Sequence, residues 1–146
     1  MKILFLFFLL VFLQTPIKSQ TLPEWFRVYT FEESIVELNT NYVMFSNRKT
    51  ERVRFRWSFQ TPQSLSEKSD VKYQSILQEI VFDCGNRNFR IYSIEWYDSE
   101  GKLISTENKK ESGEWREVES GKTMEKLFIQ ACKLIELRKR EPALEQ

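Results

Sequence analysis

The chain contains no histidine. That removes serine and cysteine triads that use an imidazole base, and it removes imidazole ligation of zinc or haem. It has 2 cysteines in 146 residues, and they do not form a Cys-x-x-Cys redox pair. Glycine and proline are scarce, at 4 each, so neither a collagen-like nor a Gly/Pro-rich disordered chain fits. Charge of one sign is lacking as well: 22 basic residues face 21 acidic ones, which gives no electrostatic footprint for nucleic acid. The acid–base chemistry that survives is a carboxylate pair. No Asp or Glu is marked out by its sequence setting, so no catalytic residue, metal ligand or cofactor is expected.

Long apolar runs are absent after the first residues. Met1-Lys2 is followed by an uninterrupted apolar stretch from Ile3 to Leu13. A membrane span needs roughly 20 apolar residues, so this stretch reads as the core of a signal peptide. Pro16 and the small Ser19 place the expected cut after Ser19. Residues 1–19 are then a leader and residues 20–146 one exported domain, periplasmic or secreted. No cysteine lies near the cut, so no lipid anchor is expected, and no later segment can span a membrane. Lys2 and Lys18 leave with the leader, so 20 basic and 21 acidic residues remain, a net charge of −1.

What is present is an alternation of strand-forming runs and polar breaks. Trp25 to Phe31 reads as a first strand, with Trp25, Arg27, Tyr29 and Phe31 on one side. Ser34 to Leu38 is a second, ended by the turn cluster Asn39-Thr40-Asn41, after which Tyr42 to Phe45 resumes the pairing. Arg52 to Gln60 has the clearest period of two: Val53, Phe55, Trp57 and Phe59 face one way, Arg52, Arg54 and Arg56 the other. A polar connection from Thr61 to Asp70 follows. Residues 74–84 and Asn88 to Tyr97 form a hairpin around Gly85-Asn86-Arg87. In the second arm Phe89 and Ile91 alternate against Tyr92, Ile94 and Trp96, so both faces read as apolar. Gly101 supplies positive φ in the next turn, and Lys102 to Thr106 is an edge strand. Glu114 to Glu119 is a short last strand, with either Trp115 inward or a bulge that turns both Trp115 and Val118 inward.

From Thr123 the period changes. Met124, Leu127, Phe128, Ala131 and Ile135 recur on one helical face, with Cys132 at its border, up to Pro142. Two cysteines in an exported chain read as one disulfide. Cys84 and Cys132 would close a loop of roughly 49 residues, worth about 4 kcal/mol in the loop-entropy model. The fold class is therefore α+β: an antiparallel sheet with one C-terminal helix stapled to one face. A helix about 10 Å wide covers two or three strands spaced about 4.8 Å apart. The rest of the sheet must meet loops, a second subunit or a ligand.

Two motifs invite functional readings. Ser120-Gly121-Lys122-Thr123 imitates a phosphate loop, but Arg116 stands where the motif needs its first glycine. It reads as a helix start, with Thr123 as N-cap. Arg48, Lys49, Arg52, Arg54 and Arg56 form a basic stripe, the candidate patch for an anionic glycan or an acidic protein surface. The plain alternative is a solvated face whose arginines pair with Glu79 or Glu95 on neighbouring strands.

Several residues taken in order resemble the surface-adhesin protein E-like domain of exported bacterial proteins. They are the early Trp25 strand, Phe82-Asp83-Cys84, Arg87 with Phe89-Arg90-Ile91, the Tyr97-x-x-x-Gly101 hairpin, Trp115 with Val118, and Gly121 eleven residues before Cys132. The resemblance spans Trp25 to Cys132. It implies a sheet of about six strands, a C-terminal helix tied to one face, and dimer formation. It implies a non-enzymatic protein that adheres to host matrix or serum proteins. The competing expectation is a periplasmic accessory protein that dimerises or binds a bacterial partner through the same face.

Overall fold

In a computed structural model of the chain, residues 23–45, 51–67 and 69–140 are described. The expected leader and its cut after Ser19 lie outside these residues, as do Arg48, Lys49 and Pro142. No helix among the described residues is long and apolar enough to cross a membrane.

The strands are β1 (Trp25–Thr30), β2 (Ser34–Phe45), β3 (Glu51–Ser64), β4 (Lys72–Asp83), β5 (Asn88–Tyr97), β6 (Leu103–Asn108) and the two-residue β7 (Arg116–Glu117). β1 to β6 pair in sequence order, each antiparallel to the next. β7 pairs with the start of β5, beside the stretch that β6 does not reach. The helix α1 (Thr123–Arg140) follows, and the expected α+β architecture is what forms.

One face of the sheet is the core. Val36 and Leu38 of β2, Val53 and Phe55 of β3, Ile80 and Phe82 of β4 and Phe89 of β5 meet Leu127, Phe128, Ala131, Leu134 and Ile135 of α1. The period of two in the strands and the 3.6-residue period in the helix each put one apolar set inward. Phe82 takes Phe55, Phe89 and Phe128 around its ring, at centroid distances of 6.3, 6.4 and 5.7 Å. The Cys84–Cys132 disulfide closes this end, with Cα atoms 5.9 Å apart. Arg87 ties the same hairpin to the helix start: Nη2 lies 2.9 Å from Glu125 Oε1, and its carbonyl accepts the Val118 amide at 2.8 Å. Glu125 Oε2 in turn accepts the Gly121 amide at 2.8 Å, so the acid in the first turn satisfies an amide at the N-terminal end.

Four local expectations are corrected, three of them by bulges. Asn39-Thr40-Asn41 does not end the second strand. β2 runs through it with a register shift between Leu38 and Val43, and its polar groups are used: Thr40 Oγ1 donates to the Pro23 carbonyl at 2.7 Å, and the Thr40 carbonyl accepts from Arg138 Nη2 at 2.8 Å. In β1 a shift between Arg27 and Tyr29 puts Tyr29 over the core instead of on the side of Trp25 and Arg27. In β5, Ser93 pairs with Glu79 and Ile91 with Ile80, so Tyr92 is an extra residue. Phe89, Ile91, Ile94 and Trp96 therefore share the helix-side face, and the two-sided apolar pattern is a bulge. Last, Val118 is 3% exposed and Trp115 41%. Only Val118 enters the core.

Candidate functional site

The face opposite the helix is built on β3. Arg52, Arg54 and Arg56 recur every second residue, so all three project from this side of a strand with neighbours on both edges. Each guanidinium lies on an aromatic ring. Arg52 Cζ is 3.9 Å from the Tyr92 centroid, Arg54 Cζ 3.9 Å from Tyr42, and Arg56 Cζ 4.3 Å from Trp25. Those rings come from β5, β2 and β1 respectively, so the row spans much of the sheet.

Two carboxylates lie among them. Arg54 is paired with Glu79 in register; its Nη2 is 2.5 Å from Glu79 Oε1, and Arg52 Nη1 is 3.3 Å from Oε2. Tyr42 donates its hydroxyl to the same Oε1 at 2.7 Å. Arg56 forms a fork on one oxygen of Glu37, with Nε at 2.9 Å and Nη2 at 2.7 Å. Partial burial first, then the hydrogen bond and charge of Glu79, hold the Tyr42 phenol above its ordinary pKa. Beside them Tyr97 donates to Glu95 Oε2 at 2.5 Å; that bond first, then burial, pushes its pKa up to about 12. A guanidinium stacked on a ring and paired with an acid has lost much of its freedom already.

The expected basic stripe is thus a lattice of cations, rings and acids. Arg52, Arg54 and Arg56 come together as the alternation requires. Of the two acids expected to pair with them, Glu79 does; Glu95 bonds Tyr97, and Glu37 takes its place. The rings were not foreseen as supports. Trp25 could have been found from its parity with Arg27, whereas Tyr42 and Tyr92 sit next to register shifts that parity cannot see. Arg90 extends the lattice, its Cζ 4.9 Å from the centroid of Trp115. Among the described residues no three Asp, Glu, Cys or His side chains form a group fit to hold a metal ion.

A family model described as surface-adhesin protein E matches residues 25–133. The fold is similar to a structure of Haemophilus influenzae protein E, with a TM-score of 0.56 and 11% identity over 79% of this chain and 88% of the other. A second crystal form of the same protein gives a TM-score of 0.58, again at 11% identity, over 79% and 91%. The structure of protein E from non-typeable Haemophilus influenzae gives 0.51 at 11% identity, over 72% of each chain. At that identity these likenesses concern the fold alone. No curated protein matches the chain in sequence.

Proposed function

Because the chain belongs to the surface-adhesin protein E family, we propose that it is an exported, non-enzymatic binding protein that engages a protein partner through the sheet face opposite its helix. The supporting observation is the row of Arg52, Arg54 and Arg56, each laid on an aromatic ring. Arg, Trp and Tyr are the residues that carry most binding energy at protein interfaces. Fixing long side chains before contact reduces the ordering cost of about 0.5–1.5 kcal/mol each that association otherwise imposes. The partner class that suits the family is a host matrix or serum protein.

Solid-phase binding of the mature domain to such proteins tests this. Arg56→Gln and Trp25→Ala remove one stacked unit at the row's more open end. Saturable binding weakened about 10-fold or more in both, with unchanged circular dichroism, is the expected result. Absence of saturable binding, or variants that bind as the parent does, would overturn it. A second reading has its own support, since the face carries Glu37 and Glu79 among its arginines. A surface bearing both signs can pair with a copy of itself about a two-fold axis. A dimer by light scattering that Arg56→Gln dissociates favours that reading, as does retention of the protein inside the outer membrane on fractionation.

A further inference from the structure

On the other side of the sheet, beyond the reach of the helix, lies an open cleft of about 480 Å³ lined by Phe31, Glu32, Glu33, Trp57, Phe59 and Gln63. Its walls are aromatic. Phe31 and Trp57 lie nearly parallel, with centroids 6.1 Å apart and 17° between planes. Phe59 is held edge-on by Tyr73 at 5.7 Å. Its rim is acidic. Glu32 and Glu33 form the turn between β1 and β2, closed by the Phe31 amide donating to the Ser34 carbonyl at 2.7 Å. The turn is pinned to β3 by the Gln60 amide on the Glu33 carbonyl at 2.9 Å and by Gln60 Nε2 on the Glu32 carbonyl at 3.2 Å. The turn's position is thereby fixed while both side chains stay exposed. Among the described residues neither carboxylate has an ion-pair or hydrogen-bond partner.

This contrasts with the arginine row, where each cation has its acid. The cleft has ring faces and two acids and lacks the cation. Ring quadrupoles attract cations over their faces, tryptophan most strongly, and nearby carboxylates add to the attraction. The adjoining ring already shows the chemistry: Lys126 Nζ lies 3.6 Å from the centroid of Tyr29, which packs edge-on against Phe31 at 4.4 Å.

The geometry points to a recognition site for an arginine or lysine side chain of a partner protein, held between the Phe31–Trp57–Phe59 wall and the Glu32–Glu33 rim. A guanidinium fits better than a quaternary ammonium. It stacks flat on a ring and also donates two hydrogen bonds to a carboxylate, whereas a quaternary ammonium has no donor for exposed acids. The site is independent of the arginine row, because it lies on the opposite face and takes the opposite charge.

The test is an NMR titration of the intact mature domain with a blocked Gly-Arg-Gly-Arg-Gly peptide. Saturable shifts confined to the Trp57 indole N–H and the amides of residues 31–34, 59–61 and 63 are expected, weakening as salt rises. The same peptide with citrulline in place of arginine should fail to bind. Glu32→Gln/Glu33→Gln changes only exposed side chains, keeps the pinned turn, and should weaken binding at least 10-fold. Absence of shifts at Trp57 up to millimolar peptide would overturn the proposal, as would unchanged binding by the double variant. Choline binding at the same residues with equal affinity would overturn the assignment to a peptide side chain.

Discussion

Glu79 is the joint of the arginine face, and replacing it with glutamine isolates what its charge does. The side chain is 13% exposed and faces Arg52 at 15% and Arg54 at 31%. Glutamine keeps the volume and one carbonyl oxygen, so the bonds from Tyr42 and Arg54 can persist. What disappears is the counter-charge for two guanidinium groups placed two residues apart on one strand. Removing one partner of a fully buried pair costs about 3–5 kcal/mol, whereas exposed pairs contribute about 0–1 kcal/mol. The intermediate burial, the retained acceptor and the rings beneath both arginines place the loss at about 2 kcal/mol. For a domain of this length that lowers the melting midpoint by about 8 °C. Urea denaturation measures the loss directly. A cycle with Arg54→Met and the double variant should give a coupling of about 1–2 kcal/mol. Loss of the Glu79 charge should also bring the Tyr42 phenol down toward its ordinary pKa, read by ultraviolet titration. A Glu79→Gln variant within about 0.3 kcal/mol of the parent would show that stacking on the rings, with the ion pairs idle, holds the face together.

Cys132→Ser should lower stability by about 2–4 kcal/mol, since the native crosslink joins residues 48 apart; dithiothreitol should destabilise the parent equally and leave the variant unchanged. Tyr97, with its pKa near 12, should be the late tyrosine in a spectrophotometric titration, and Tyr97→Phe should remove that phase. Below about pH 10 its phenol is protonated in the folded and unfolded chains alike; between about 10 and 12 only the unfolded chain gives up the proton, so stability falls as pH rises through that window. Val118→Ala should cost about 2 kcal/mol by thermal unfolding and Trp115→Ala under about 1 kcal/mol, because only Val118 lies in the core; the reverse order would mean that Trp115 is the inward residue.

The parts of the fold written in residue spacing were legible. Val53, Phe55 and Trp57 against Arg52, Arg54 and Arg56 show parity directly, and the stripe from Leu127 to Ile135 shows the helix. The single cysteine pair names the staple. Illegible were the places where one extra residue resets parity, and a sequence does not print them. Asn39-Thr40-Asn41 looks like a turn because polar residues usually mark one. Here Asn39 Oδ1 accepts the Asn41 amide, the Thr40 hydroxyl donates to the chain before β1, and the Thr40 carbonyl accepts from Arg138, so the strand continues. In the 83–88 hairpin the residue with left-handed backbone is Arg87, at φ 55°, although Gly85 is the residue suited to it. Tertiary demand outweighs that preference, since Arg87 serves Val118 and Glu125 from this position.

The bulge at Tyr92 connects the two faces. Without it, Phe89 and Ile91 would face opposite to Ile94 and Trp96, and one pair would lie among the arginines. One extra residue lets β5 send all four to the helix side and keeps Tyr92 on the other. Tyr92 is then the ring on which Arg52 lies. The shift in β1 does the same work at the far edge, sending Tyr29 to the core and keeping Trp25 under Arg56. Each shift moves apolar side chains away from the open face and leaves one ring on it, positioned to hold a cation. A regular sheet of this sequence would have a greasier open face and unsupported arginines. The irregular one separates the molecule into a helix-covered apolar side and an ordered, charged side, and it does so with single-residue insertions that cost no strand.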